Sequence, residues 1–257
     1  MREKEVRDRL LAAGIENAAL EAAWLCEHFG GEVPTQAVER RAAHYPLQYI
    51  LGEWEFCHER YEVSEHCLIP RADTELLVEQ AAALLPQGAR FLDLCTGSGC
   101  VAISTLCMRL DTTATAVDLF DETLALAKRN AERNGVASRV LFEKADVLLP
   151  PDERFSGGYQ AVLANPPYIT RAAMECLQAE VRHEPSAALF GGEDGLDFYR
   201  AILGNWQGVL LEGGFFLFEI GYDQGAALRA LGEQYGYGCR VLRDLGGNDR
   251  VVALKKA

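Results

Sequence analysis

The sequence predicts an α/β fold, with an open Rossmann-like sheet of seven strands preceded by a small helical domain and a β-hairpin. Short apolar runs alternate with stretches of helical spacing from residue 91 onward, which is typical of a parallel sheet with covering helices. The last two apolar runs flank Gly246-Gly247-Asn248, a hairpin signal. We therefore expect a mostly parallel sheet that ends in an antiparallel pair.

Each element has a local signal in the sequence. Before the sheet, three stretches have helical apolar spacing and two short alternating segments predict a hairpin. The predicted helices are residues 5–11, 16–29, 35–43, 100–109, 195–210 and 222–235. The predicted hairpin strands are residues 54–57 and 61–63. The first predicted sheet strand begins at residue 91, and the other six are residues 113–117, 139–145, 159–164, 214–220, 239–243 and 250–255.

A glycine-containing loop follows the first sheet strand, in the segment FLDLCTGSG at residues 91–99. Glycines allow the backbone to approach a ligand closely, and the helix that begins at residue 100 presents unpaired N–H groups to a carboxylate or phosphate. The segment therefore predicts a nucleotide site. Its candidate cofactor-binding residues are Asp93, Cys95, Thr96, Gly97, Ser98 and Gly99.

The next two strands also end in side chains suited to a nucleotide. Asp118, with Leu119 beside it, ends the second strand, where a carboxylate can accept both hydroxyls of a ribose. Asp146 and Val147 end the third strand and suit an adenine amino group and ring. Ligands of open α/β sheets bind outside the carboxyl ends of the strands, so these loops should converge on one crevice.

The tetrapeptide Asn165-Pro166-Pro167-Tyr168 follows the fourth strand. Asn165 offers a side-chain carbonyl, Pro166 a main-chain carbonyl and Tyr168 an aromatic face, and the prolines restrict the backbone so that both acceptors are aimed in advance. Such a turn suits methyl transfer to a planar nitrogen, and all four residues are candidate catalytic residues. Asn165 is also a candidate cofactor-binding residue. The structural alternative is a Pro-Pro turn after a strand.

The cofactor is predicted from these strand ends together. A dinucleotide is the main competitor, but the loop lacks the G-x-G-x-x-G spacing and no segment suits a nicotinamide or a 2′-phosphate. S-adenosylmethionine has one ribose, one adenine and an amino-acid end that a glycine loop can hold. The arrangement resembles the class I methyltransferases.

Within that superfamily the chain resembles the HemK-type glutamine methyltransferases, which modify the glutamine of the Gly-Gly-Gln motif in peptide chain release factors. The similar segments are PLQYILG (46–52), LIPRADTE (68–75), DLCTGSG (93–99), NPPYI (165–169), Glu184-Pro185, DGLDFYR (194–200) and EIG (219–221). The resemblance implies N5-methylation of that glutamine with S-adenosylmethionine, and a release factor as partner. Methyltransferases acting on exocyclic amino groups of nucleic-acid bases share the tetrapeptide, and they remain the alternative, as does a non-catalytic binding module. The segments around Gln48 and Arg71 favour the glutamine enzyme.

Two positions depart from the family pattern. Cys95 stands where a glycine is usual, so we expect an ordinary φ at this residue. Ala72 replaces a second proline, which makes the loop before Asp73 less stiff. Nearby, Arg71 and Glu75 are spaced for an ion pair at a helix start, with a role in shaping a cofactor lid as the alternative.

The resemblance also organises the chain. We expect residues 1–52 to form a helical domain for substrate recognition, residues 53–84 a hairpin linker and lead-in, and residues 85–257 the S-adenosylmethionine-binding methyltransferase domain.

A net charge of −13 disfavours binding to a phosphate backbone, so we expect no direct contact with nucleic acid. Eight cysteines without a C-x-x-C pair suggest a reducing compartment and no metal. We expect a cytoplasmic monomer without membrane contact.

Overall fold

A computed structural model describes residues 1–256, which form a helical N-terminal region, a two-stranded hairpin and a seven-stranded sheet. The helices are α1 (Glu3–Ala12), α2 (Ala18–His28), α3 (Thr35–Ala42), α4 (Leu47–Leu51), α5 (Glu75–Leu84), α6 (Cys100–Met108), α7 (Asp121–Arg133), α8 (Arg171–Met174), α9 (Asp197–Asn205) and α10 (Gly225–Gln234). The strands are β1 (Glu53–Phe56), β2 (Glu59–Glu62), β3 (Arg90–Leu94), β4 (Thr113–Asp118), β5 (Val140–Lys144), β6 (Tyr159–Ala164), β7 (Leu210–Glu219), β8 (Tyr237–Arg243) and β9 (Asp249–Lys256).

The large sheet has the strand order β5-β4-β3-β6-β7-β9-β8. Strands β3 to β7 pair in parallel, whereas β9 lies antiparallel between β7 and β8. The predicted fold class, including the terminal antiparallel pair, is confirmed. Strand order reverses at β3, which has β4 on one side and β6 on the other. Such a switch point leaves a crevice at the carboxyl ends of the strands.

Alternate residues of each strand pack on opposite faces of the sheet, as the period of two requires. On one face Phe91 lies in a core with α5 and α6, and on the other face Leu92 lies in a core with α9 and α10. Because both faces are covered, the parallel strands are apolar nearly throughout. A separate core holds the N-terminal helices together around Val6, Leu25 and Val38.

A buried arginine joins the N-terminal helices to the rest of the chain. Arg41 is 2% exposed and pairs with Glu21 of α2 at 2.5 Å and with Glu180 at 2.7 Å. Burial lowers the pKa of Arg41, but the two carboxylates outweigh it and the net pKa is raised. The helical region is thus tied to the segment that follows α8.

Several elements differ from their predicted bounds. Helices α4, α7 and α8 have no counterpart among the predicted elements, and α5 begins at Glu75, where the sequence predicts a helix start without giving its extent. Helix α9 ends at Asn205, where a 3-10 turn replaces its expected continuation. Helix α10 begins at Gly225 rather than at residue 222, because the Gln224 side chain accepts the Gly221 N–H at 2.9 Å and holds a turn there. Among residues 1–256, no helix is long and apolar enough to span a membrane.

Candidate active site

A cavity of about 600 Å³ lies at the carboxyl ends of β3, β4, β5 and β6, where the strand order reverses. Each of these strands contributes the loop that follows it. The predicted site residues that line the cavity are Cys95, Thr96, Gly97, Ser98, Asp118, Leu119, Asp146, Val147, Asn165 and Pro167. The other four, Asp93, Gly99, Pro166 and Tyr168, are not among the residues that line it. The structure thus brings together residues that are up to 72 positions apart.

Asp93 supports the glycine loop from below instead of facing the cavity. Its Oδ2 accepts the Thr96 hydroxyl at 2.5 Å and the Ala102 N–H at 3.2 Å. Burial raises the pKa of Asp93 to about 7, although these two hydrogen bonds lower it. Asp93 therefore fixes the shape of the turn and the start of α6.

Glycine is required at Gly99 for packing as well as for backbone conformation. Its φ is +83°, and a Cβ there would lie 2.8 Å from Ile103 Cδ1 and 3.2 Å from Ala127 Cβ. Gly97, with φ +56°, lines the cavity and has open space where a Cβ would be. Gly97 therefore leaves room for a ligand, and Gly99 allows α6 to pack closely on α7.

The expectation of an ordinary φ at Cys95 is wrong. Its φ is +59°, in the left-handed region that glycine adopts without strain. The turn between β3 and α6 thus holds Cys95 in this conformation although its side chain disfavours it. The thiol lines the cavity, and burial raises the pKa of Cys95 well above its usual range, so it is a neutral group.

The Asp118 carboxyl group is held beside the glycine loop by hydrogen bonds from main-chain N–H groups. Its Oδ2 accepts the Gly97 N–H at 3.0 Å and its Oδ1 the Phe120 N–H at 3.2 Å. Burial raises the pKa of Asp118, and these N–H groups oppose that shift. On the next strand end, Asp146 accepts the Leu148 N–H at 2.9 Å beside the buried Val147. Both carboxylates are thus fixed in position and keep lone pairs for a ligand.

Asn165 is positioned by a residue that the sequence did not indicate. Its Nδ2 donates to Thr74 Oγ1 at 3.2 Å, which leaves Oδ1 to accept a hydrogen bond from a ligand. Thr74 is 1% exposed and lines the same cavity. Family-like residues surround Thr74 in the sequence, but their pattern gives no sign of this contact.

The main chain of Pro167 and Tyr168 is held in place by contacts with Gln224 and with the segment between α8 and α9. The Tyr168 carbonyl accepts Gln224 Nε2 at 3.2 Å, and Gln224 also donates to the Gly195 carbonyl at 3.2 Å. A Cβ at Gly191 would lie 2.5 Å from the Pro167 carbonyl oxygen. The segment between α8 and α9 therefore lies directly on the tetrapeptide main chain, which explains its glycines at residues 191 and 195.

Arg71 does not pair with Glu75, so that expected ion pair is wrong. Arg71 pairs with the buried Glu184, which also accepts the Ile69 N–H at 3.0 Å. Glu75 instead accepts the Cys57 N–H at 3.0 Å. Glu184 gains more than Glu75 from the arginine because Glu184 is 6% exposed and has little water around it. Arg71 lines the cavity, together with the apolar Met174.

Comparisons with known proteins agree with this geometry. The family model described as "Methyltransferase small domain" matches residues 71–188. The release factor glutamine methyltransferase of Geobacter sulfurreducens is 39% identical over 269 residues, covering 96% of this chain and 92% of that protein. The protein of the same name from Cereibacter sphaeroides is 40% identical over 268 residues, covering 96% and 94%. The chain belongs to the release factor glutamine methyltransferase family. A methyltransferase from Pyrococcus furiosus, at a TM-score of 0.58 and 17% identity over 77% of this chain and 88% of its own, shares the fold.

Family membership identifies the cofactor as S-adenosylmethionine. The residues present fit it, because the cavity joins an open glycine loop to two fixed carboxylates and an apolar wall. The Ser98 hydroxyl is buried without a hydrogen-bonding partner in the described part of the chain, which suits a polar ligand at the loop. No cluster of three or more potential metal ligands occurs among residues 1–256.

Proposed function

We propose that this chain methylates the N5 nitrogen of the glutamine side chain in the Gly-Gly-Gln motif of peptide chain release factors. The observation that carries the proposal is the contact of Asn165 with Thr74. Because the Asn165 NH2 group is used by Thr74, its carbonyl oxygen is left for an NH2 donor in the cavity. A glutamine side chain offers such a donor, and the relatives that match nearly the full chain are named release factor glutamine methyltransferase.

The strand-end loops hold the cofactor in this proposal. The glycine loop from Cys95 to Gly99 binds its amino-acid end, Asp118 with Leu119 its ribose, and Asp146 with Val147 its adenine. Asp93 acts through the loop that it supports. When bound, S-adenosylmethionine supplies an electrophilic methyl group.

The protein acts on the glutamine mainly by orienting it. An amide nitrogen is a poor nucleophile because its lone pair is delocalised into the carbonyl, so alignment has to provide much of the rate. Asn165 Oδ1 and the Pro166 carbonyl each accept one N–H of the substrate, while Pro167 shapes the turn and Tyr168 packs on the amide plane. Both acceptors also stabilise positive charge as it develops on nitrogen. The methylated nitrogen then loses its proton readily, and no dedicated base is assigned.

The remaining parts of the chain have roles that follow from this substrate. We assign residues 1–52 to recognition of the release factor, residues 53–84 to the linker and lead-in, and residues 85–257 to cofactor binding and transfer. Arg41 would keep the recognition helices in register with the cavity through Glu180. A net charge of −13 favours contact with protein over nucleic acid or anionic membrane. A monomer acting in the cytoplasm satisfies these requirements.

Mass spectrometry of a release factor incubated with enzyme and S-adenosylmethionine tests the proposal. We expect one added methyl group on the Gly-Gly-Gln glutamine, and none when that glutamine is replaced by alanine in the substrate. Label transferred to RNA or DNA in place of protein would support the nucleic-acid alternative. Calorimetry without any heat of cofactor binding would support a non-catalytic binding module.

An Asn165→Ala variant tests directly whether the Asn165 carbonyl accepts a hydrogen bond from the substrate. Transfer should fall about 10²-fold because one hydrogen bond to the transition state is lost, while affinity for the cofactor changes little. Gln87→Ala is the matched control, since this exposed amide lies at the opposite, amino end of β3. Near-normal turnover by Asn165→Ala would return the tetrapeptide to a purely structural role.

A further inference from the structure

Asn130 is a buried side-chain amide of α7 that lies between the β1–β2 hairpin and the glycine loop. It is 0% exposed. Its Oδ1 accepts the Glu62 N–H at 2.7 Å, and its Nδ2 donates to the Glu62 carbonyl at 3.1 Å and to the Ser98 carbonyl at 2.9 Å. Asparagine is a poor helix former, and a buried amide is costly unless it is hydrogen-bonded. These contacts therefore account for an amide at this position.

The contact with Ser98 restrains the glycine loop. Ser98 is 2% exposed, lines the cavity and lies between Gly97 and Gly99. The peptide group that joins Ser98 to Gly99 is held at both ends, because its carbonyl accepts Asn130 Nδ2 and its N–H donates to the Thr96 carbonyl at 2.9 Å. The flanking glycines give the main chain wide conformational freedom. Asn130 thus supplies a restraint that the loop sequence itself lacks.

The contacts with Glu62 belong to a larger attachment of the hairpin to α7. Arg129 pairs with the Glu62 carboxylate at 2.7 Å, and Asn134 Nδ2 donates to the Arg60 carbonyl at 3.1 Å. Among these three side chains of α7, Asn130 is the one that also contacts the glycine loop in the described part of the chain. Asn130 therefore connects the position of the hairpin to the shape of the loop.

We propose that Asn130 is a positioning residue that raises the affinity for S-adenosylmethionine by holding the glycine loop against the β1–β2 hairpin. The inference rests on the proposed assignment of this loop to the cofactor. It goes further because it makes the hairpin part of the cofactor site, although residues 53–62 are not among the described residues that line the cavity. It assigns no contact between Asn130 and the cofactor.

The effect on affinity follows from the fraction of molecules whose loop is ready to bind. Without the Asn130 amide, the Ser98 carbonyl loses its donor and the loop adopts other conformations for part of the time. The apparent Kd rises in proportion as the binding-competent fraction falls. One hydrogen bond of ordinary strength changes that fraction about five- to tenfold. Saturating cofactor restores the loop, so the loss should affect cofactor binding and leave kcat nearly unchanged.

The first test compares two alanine variants of α7 by calorimetry with S-adenosylmethionine. Asn130→Ala should raise the Kd about five- to tenfold. Asn134→Ala, the same substitution one turn farther along α7, also loses a contact with the hairpin and should keep the Kd within about twofold of wild type. Equal affinities in the two variants would overturn the inference.

Kinetics on a release factor distinguish positioning from a general loss of stability. In Asn130→Ala the KM for S-adenosylmethionine should rise by the same factor as the Kd, while kcat at saturating cofactor stays within about twofold of wild type. A purely structural role would lower the amount of folded enzyme, and so kcat, without raising this KM. A loss confined to kcat would therefore contradict the proposal.

Hydrogen exchange in the wild-type protein tests the same coupling without any substitution. Because coupling between two sites is reciprocal, bound S-adenosylmethionine should slow exchange of the Glu62 N–H, which Asn130 accepts, about five- to tenfold. The Gly88 N–H is the matched control, since a side chain, that of Asp111, also accepts it at 2.8 Å, before the amino end of β3. Unchanged exchange at Glu62, or equal slowing at both N–H groups, would refute the coupling. If the cofactor protects Glu62 but no release factor is methylated, the proposed function fails and this inference stands.

Discussion

Cys95 offers a direct test of the strain in the cofactor loop. A left-handed backbone costs an L-residue about 1–2 kcal/mol, and the φ of +59° at Cys95 lies in that region. Glycine avoids this cost but adds about 0.5–1 kcal/mol of unfolded-state entropy. Cys95→Gly and Cys95→Ala both lose the thiol, so their difference isolates the backbone. We expect the glycine variant to be more stable than the alanine variant by up to about 1.5 kcal/mol.

Urea denaturation of both variants measures this difference. Ala116, a buried residue of β4 outside the positive-φ set, provides the control, because Ala116→Gly should be destabilising. If the alanine variant at residue 95 is the more stable one, the strain argument fails. Calorimetry should show S-adenosylmethionine affinity within about threefold of wild type for Cys95→Gly, a change of under 1 kcal/mol. A gain of tenfold or more would mean that the thiol obstructs the cavity.

Three further predictions concern charged groups. Asp118→Ala should weaken cofactor binding by about 1.5–3 kcal/mol in calorimetry, and unchanged affinity would remove Asp118 from the site. Arg41→Met leaves Glu21 without its buried partner and should lower the midpoint of thermal unfolding, whereas an unchanged midpoint would mean that the pairing with Glu21 and Glu180 is energetically neutral. The native pKa of Asp93 lies above its unfolded value, so its contribution to stability is full below about pH 3.8 and is lost as the pH rises through 7. Asp93→Asn should flatten that decline in the unfolding free energy, and an equally steep decline would refute the raised pKa.

Much of the fold was predictable because its signals are local. A buried parallel strand is a continuous apolar run, and β6 occupies the predicted residues without change. The carboxyl ends of parallel strands meet at one edge, so Asp118, Asp146 and Asn165 were expected in one crevice, and all three line the cavity. The predicted ends of strands and helices are less accurate than the predicted elements themselves. Side chains such as that of Gln224 fix these ends through contacts outside the local pattern.

Two predictions about the site are wrong, because the local sequence pattern does not show what the surrounding structure imposes on these residues. Arg71 and Glu75 satisfy the helical spacing rule, but Glu184, 113 residues away, is buried and has the greater need of a cation. At Cys95 the side chain is a misleading guide to φ, because the turn between β3 and α6 sets φ and the side chain tolerates the strain.

The orientation of Asn165 shows why a motif alone does not specify an acceptor. Its amide has a donor end and an acceptor end of nearly equal size, so the tetrapeptide is compatible with either one facing the cavity. Thr74, 91 residues earlier in the chain, takes the donor end and leaves the carbonyl for the ligand. The chemistry expected from the tetrapeptide therefore depends on the segment that leads into α5. A substitution there should alter methyl transfer while the tetrapeptide itself stays intact.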